Sequence, residues 1–237
     1  MGDGDRVSDA IVLVAMDEEA EPFLARAERA SEPRIVGNAL QYDLEIDGGA
    51  VLLVRTGVGL VNAAGGLTAA VLQDPSPLVI SAGSAGGLGA DVRVGDVVVG
   101  DEYVQTDADA RAFGYALGQV PGMPARYSGH APALAAELVA EVPGGAVTVR
   151  RGLIVSGDVF VSGDHVERVL GAFPAALATD MESVSLAQTA HVHGVPFVSV
   201  RGISDLCAPG QFEAHVDDAA DRSAVVVLAL LRALRAA

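Results

Sequence analysis

The sequence holds one cysteine, Cys207, no tryptophan, and only 15 basic residues against 31 acidic ones. A single cysteine cannot close an internal disulfide, and no Cys/His pair sits at zinc-ligand spacing. The chain therefore fits a reducing compartment with no structural metal and no cofactor. The shortage of positive charge leaves a formal net charge of −16, which repels a nucleic-acid backbone and an anionic membrane alike. No apolar run is long enough to span a bilayer, and the opening segment Met1-Gly-Asp-Gly-Asp-Arg-Val-Ser-Asp is acidic where a signal peptide would be basic. A cytoplasmic protein without nucleic-acid or membrane partners is the expectation.

What is present is apolar material in quantity. The 237 residues are 51% hydrophobic and 19% charged, enough for a sizeable core in one domain. Residues 1–10 read as a flexible N-terminus and 11–237 as a single domain. Strand-like and helix-like patterns alternate along it. Strands are expected at Ile11–Ala15, Tyr42–Ile46, Val51–Arg55, Leu78–Ser81, Val92–Gly100, Gly152–Ser156 and Phe197–Ile203. Helices are expected at Glu18–Ala30, Gly57–Leu72, Pro132–Val142, His165–Ala172, Glu182–His193 and Ala219–Ala236. Asp47-Gly48-Gly49 reads as a hairpin turn, so the two strands around it are antiparallel. Such alternation with one hairpin predicts an α/β three-layer sandwich, a mixed central β-sheet flanked by helices. The aperiodic stretch Gln105–Tyr127 has the length of a lid, a binding loop or a subunit contact.

Three acids stand at the carboxyl ends of apolar runs, where α/β proteins bind ligands. Asp205 ends the run Pro196–Ser204, Glu19 follows the first strand, and Glu182 follows Ala175–Met181. Plainer readings stand beside these: Asp17-Glu18-Glu19 as the acidic first turn of a helix, Asp180, next to Glu182, as a helix cap, and Ser204-Asp205 as a turn pair. The segment Ser81-Ala-Gly-Ser-Ala-Gly-Gly offers either a glycine turn or a loop whose amides approach a ligand, with Ser84 best placed to touch it. It matches neither a dinucleotide fingerprint nor a phosphate loop, since no GK[ST] lysine is there. None of the five histidines has a partner at triad or metal spacing, and all read as surface residues. Cys207 lacks a basic neighbour and reads as inert.

Nine segments in one order carry a resemblance. They are Ala15-Met-Asp-Glu-Glu, Thr56-Gly-Val-Gly, Ser81-Ala-Gly-Ser-Ala-Gly-Gly-Leu, Val94-Gly-Asp-Val-Val-Val, Asp107-Ala-Asp-Ala-Arg-Ala-Phe-Gly-Tyr, Gly118-Gln-Val-Pro-Gly, Gly152-Leu-Ile-Val-Ser-Gly-Asp-Val-Phe, Asp180-Met-Glu and Val200-Arg-Gly-Ile-Ser-Asp. Together they resemble the 5′-methylthioadenosine/S-adenosylhomocysteine nucleosidases of the nucleoside phosphorylase superfamily, from about residue 11 to the C-terminus. The resemblance implies a nucleoside phosphorylase-like fold and an N-glycosidic hydrolase. Asp205 would be the general acid at N7 of adenine, Glu19 would activate water, and Glu182 would hold the ribose with Met181 packed against it. Phe160 would stack on adenine and Val161 offer backbone hydrogen bonds to its edge, while Ser84, Arg201 and Ser204 would support the water and the acids. The resemblance further implies a homodimer, with Phe113, Tyr115 and Pro121 near the interface and Phe113 reaching the 5′ end of the substrate, which Phe212 would help close. Asp180 stands where the family commonly has Glu, a change expected to matter little.

Other readings remain open at this stage. An aminofutalosine-type nucleosidase would share the adenine site, a phosphorolytic relative would need phosphate ligands near the first strand, and a silent nucleoside sensor would lack Glu19 or Asp205.

Overall fold

Ala10–Val14 has no polar face, which suits a strand covered on both sides, and it forms β1 inside the sheet with every residue buried. A computed structural model describes residues 7–143, 145–208 and 212–236 of the chain, apart from the side chains of residues 212–214. After β1 come α1 (Asp17–Leu24), β2 (Arg29–Ala30), β3 (Arg34–Val36), β4 (Ala39–Ile46), β5 (Gly49–Arg55), α2 (Leu60–Gln73), β6 (Val79–Gly87) and β7 (Val97–Gln105). A single 3-10 turn at Arg111–Phe113 precedes β8 (Tyr127–Ser128), α3 (Ala131–Ala135), β9 (Glu141–Val142), β10 (Gly145–Ala146) and β11 (Val149–Ser156). The chain closes with α4 (Asp164–Ala172), β12 (Ala176–Asp180), α5 (Ser183–His193), β13 (Phe197–Asp205) and α6 (Phe212–Arg235).

The main sheet runs β12-β11-β7-β13-β6-β1-β5-β4-β2. It is mixed: β1 is parallel to β5 and β6, β6 to β13, and β11 to β7 and β12, while β13–β7 and the β4–β5 hairpin are antiparallel. One face is covered by α2 and α5 through Ala63, Leu67, Ala70, Leu186, Ala187 and Ala190. The other is covered by α1 and α6 through Ala20, Phe23, Ala224 and Val227. A third apolar cluster joins Val169 of α4 to Leu153 and Val155 of β11. The sandwich of a mixed sheet between helices is as the patterning implied.

Four local expectations are corrected. The glycine segment 81–87 is a strand rather than a turn: β6 pairs with β13 and then, through Gly86 and Gly87, antiparallel with Thr179 and Ala178 of β12. That second pairing curls β12-β11-β7-β13-β6 into a closed ring. Small residues are what permit it, since a Cβ on Gly86 would lie 2.6 Å from Cys207 Sγ. The helix expected over Glu18–Ala30 stops at Leu24, because Arg29–Ala30 instead take up the open edge of β4 opposite Glu45 and Leu44. The helix expected over Pro132–Val142 stops at Ala135, and Glu141–Val142 pair with Gly145–Ala146, placing Ala140 and Val147 against the α6 side of the core. The strand expected from Val92 begins only at Val97, because Leu88–Asp96 is a loop in which Asp96 accepts the Arg93 amide.

Candidate active site

The carboxyl ends of β1, β6, β12 and β13 meet around a cavity of about 200 Å³. Glu19, Glu182 and Asp205 all line it, brought from separate parts of the sequence, although each is nearly fully buried. Among the described residues lining it there are four acids, counting Asp180, and no Arg, Lys or His.

Glu19 is the third residue of α1, and the plain reading of its acidic turn holds only for its neighbours. Asp17 and Glu18 are exposed, whereas Glu19 turns back to the sheet edge. Its Oε2 accepts the amides of Ala15 at 2.8 Å and Met16 at 3.3 Å, the reach-back of a capping box. Its Oε1 accepts the Ser84 amide at 2.8 Å and the Ser84 hydroxyl at 2.9 Å. A carboxylate has about four lone-pair directions, so Glu19 is saturated, and the Ser84 hydroxyl is the one donor of the four that can rotate away. The carboxylate fits there because residue 83 is glycine at φ 144°: a Cβ would collide with it.

Asp205 ends β13. The Ser204 hydroxyl donates to its Oδ2 at 2.8 Å and the Cys207 amide to its Oδ1 at 2.7 Å. No helix follows for Ser204-Asp205 to cap at once; the carboxylate instead holds a turn whose residue 207 is left-handed, at φ 59°. The Cys207 thiol is buried and burial pushes it up to about 12, which removes it as a nucleophile.

Glu182 follows β12. Its Oε1 accepts the Gly59 amide at 3.0 Å, and Oε2 lies 3.5 Å from Nη1 of Arg201. Burial pushes its carboxyl up to about 7; Arg201 and the Gly59 amide oppose this, and the charges of Asp180 and Glu19 reinforce it.

Arg201 does not line the cavity but lies beneath it, fully buried. Its Nε is 2.8 Å from Asp180 Oδ2, and Nη2 donates to the Ser81 hydroxyl at 2.6 Å. Asp180 is the residue whose weight the sequence understates. It does cap α5, accepting the Ser183 amide at 3.1 Å, but its carboxylate also accepts the hydroxyls of Ser156, at 2.5 Å, and Ser183. Beyond capping, this carboxylate is the chief counter-charge of a buried arginine. Serines 81, 156, 183 and 199 complete the network, with Ser199 held by the Tyr103 hydroxyl through its amide at 2.7 Å. Nothing in a linear pattern distinguishes them from ordinary strand and cap serines.

Phe160, Val161 and half-buried Met181 form the apolar wall, with Met16, Val58 and Val159 beside them, which the sequence did not single out. Ser84 and Ser204 line the cavity as expected. Phe113 is 83% exposed and outside the cavity lining. The side chain of Phe212 lies outside the described residues.

Fold and site together define a class. Residues 9–232 match the model of the phosphorylase superfamily, and the chain belongs to that superfamily. It is 38% identical over 226 residues to the 5′-methylthioadenosine/S-adenosylhomocysteine nucleosidase of Geobacillus thermodenitrificans, covering 94% of this chain and 95% of that one. The Neisseria meningitidis nucleosidase of the same name, solved with methylthio-immucillin-A, superposes with a TM-score of 0.86 at 36% identity, covering 94% and 98% of the two chains. The Colwellia psychrerythraea nucleosidase, solved with adenine, gives 0.86 at 31% identity over 97% and 96%. Within the superfamily, the chain belongs to the 5′-methylthioadenosine/S-adenosylhomocysteine nucleosidase family.

Proposed function

We propose that this chain hydrolyses the N-glycosidic bond of 5′-methylthioadenosine and S-adenosylhomocysteine and releases adenine, with Asp205 as general acid and Glu19 as the group that activates water. The observation that carries the reading is the convergence of Glu19, Glu182 and Asp205 on one cavity with an aromatic and aliphatic wall at Phe160 and Val161. Asp205 protonates N7, so that the base departs neutral while the sugar gains oxocarbenium character. Glu182 accepts the ribose hydroxyls with the lone pairs not given to Gly59 and Arg201, and Met181 packs on the sugar. Phe160 stacks on adenine and Val161 binds its edge through the backbone. The Ser84 hydroxyl rotates off Glu19 to admit the water, which Glu19 orients and deprotonates. Arg201 anchors Glu182 from below, and Ser204 orients Asp205.

Water is favoured over phosphate as the nucleophile for an electrostatic reason: among the described residues the cavity is lined by four acids and offers no cation to pair with an entering dianion. Residues 11–237 act as one nucleosidase domain. We further infer a homodimer in which Phe113, Tyr115 and Pro121 lie near the interface and Phe113, with Phe212, closes the 5′ end of the pocket.

The test is adenine release from methylthioadenosine in phosphate-free buffer. Turnover is expected without phosphate; release that begins only on phosphate addition overturns the hydrolytic reading. Asp205→Asn is expected to lower kcat by about 10²–10⁴-fold while an adenine analogue still binds, because the acid acts in the transition state. Near-normal turnover of that variant removes Asp205 from the leaving-group role.

A further inference from the structure

Helix α2 has no cap of its own. Its N-cap is Gly59, with no side chain to offer, and its first turn contains no acid. Two of the amides at its start are nevertheless bonded, each to a carboxylate from elsewhere in the chain. The Gly59 amide donates to Glu182 Oε1 at 3.0 Å, and the Leu60 amide donates to Asp158 Oδ1 at 2.8 Å. Asp158 belongs to the loop after β11. It is exposed and does not line the cavity, yet the next three residues, Val159, Phe160 and Val161, all do. Val58, the residue before the N-cap Gly59, lines the cavity as well. Gly59 is also what lets the carboxylate come close: its φ is 106°, and a Cβ there would lie 3.1 Å from Asp158 Oδ1.

We propose that Asp158 is a positioning residue, a latch that ties the wall carrying Phe160 and Val161 to the start of α2, and so holds the adenine wall at a set distance from Glu182. The proposal rests on the nucleosidase reading above. Asp158 and Glu182 cap neighbouring amides of one helix start, so the adenine side and the ribose side of the cavity share a single rigid reference. The positive end of the helix dipole favours carboxylates there. With the latch made, the loop waits in its binding geometry. Without it, part of each binding event is spent closing the loop, and apparent affinity falls by the fraction of molecules already closed. Chemistry in the assembled complex is untouched, because Asp158 does not line the cavity.

The consequence separates KM from kcat. Loss of a helix-capping carboxylate corresponds to a change of about tenfold in an equilibrium constant. Asp158→Ala is therefore expected to raise KM for methylthioadenosine about tenfold with kcat within about twofold of wild type. Its thermal midpoint should stay within about 4 °C. Asp158→Asn keeps an oxygen for the Leu60 amide and is expected to restore KM to within about twofold. The latch is overturned by an Ala variant whose KM is unchanged, by one whose kcat falls instead, or by an Asn variant that fails to rescue. Wild-type protein that releases no adenine sinks the nucleosidase reading and the proposal with it, which distinguishes that failure from a latch that merely has no effect.

Discussion

Glu182 is asked to be a hydrogen-bond acceptor while buried among acids, and its titration is the most informative property of any single residue here. Its carboxyl sits at about 7, above its ordinary 4.5, chiefly because burial disfavours the charge. Between those values the folded protein keeps a proton that the unfolded chain has released. Glu182 therefore adds stability that is complete below about pH 4.5 and is lost as pH rises through about 7. Glu182→Gln removes this dependence. Urea unfolding at pH 5 and pH 8 is expected to show the variant gaining on wild type by on the order of 2–3 kcal/mol at the higher pH, and an equal gap at both overturns the assignment. Activity runs the other way. The ionised carboxylate accepts the ribose hydroxyls, so kcat/KM of the wild type is expected to rise as pH passes about 7. At the same scale the sequence was readable where type and place coincide, as for Asp205 at a strand end or Glu19 after one. For Asp180 it gave the capping of α5, a local event, but not the hold on Arg201, which joins strands distant in sequence.

At the scale of elements, two glycines decide how closely pieces approach. Gly202 on β13 faces α6 so tightly that a Cβ would strike the backbone carbonyl of Ala219. That neighbour is backbone and cannot rotate away. Gly202→Ala is expected to destabilise the protein by about 1–3 kcal/mol or more, read from the denaturation midpoint, since the whole helix must shift. A variant as stable as wild type shows that α6 is not held by this contact. Gly83 shows the same economy of space at the site, where its missing Cβ leaves room for the carboxylate of Glu19. Element type followed the periodicity at β1, α2, α5 and β13. The failures were short edge pairings such as β2 on β4, where open backbone groups in the partner strand outweighed local helical preference. The glycine run misled for a related reason: its composition suits a turn, and only the neighbouring strands make it a ladder.

For the whole molecule, the proposed dimer carries its own expectation. Light scattering should report twice the chain mass of 24.0 kDa. Phe113→Asp is expected to shift the population toward single chains and to raise KM, because the side chain is exposed on the single chain and proposed to lie near the interface and to close the 5′ end of the pocket. A single-chain mass for the wild type removes that role. No helix among the described residues is long and apolar enough to cross a membrane. The sequence alone determined the class of fold, the apolar strands, the antiparallel hairpin and the standing of Glu19, Glu182 and Asp205 at the ends of apolar runs, because these follow from side-chain type and short-range periodicity. The tertiary structure decided the closed ring through Gly86 and Gly87, the buried arginine with its serines, and the two carboxylates that cap α2. These depend on groups far apart in the chain being desolvated together, and no local pattern carries that information.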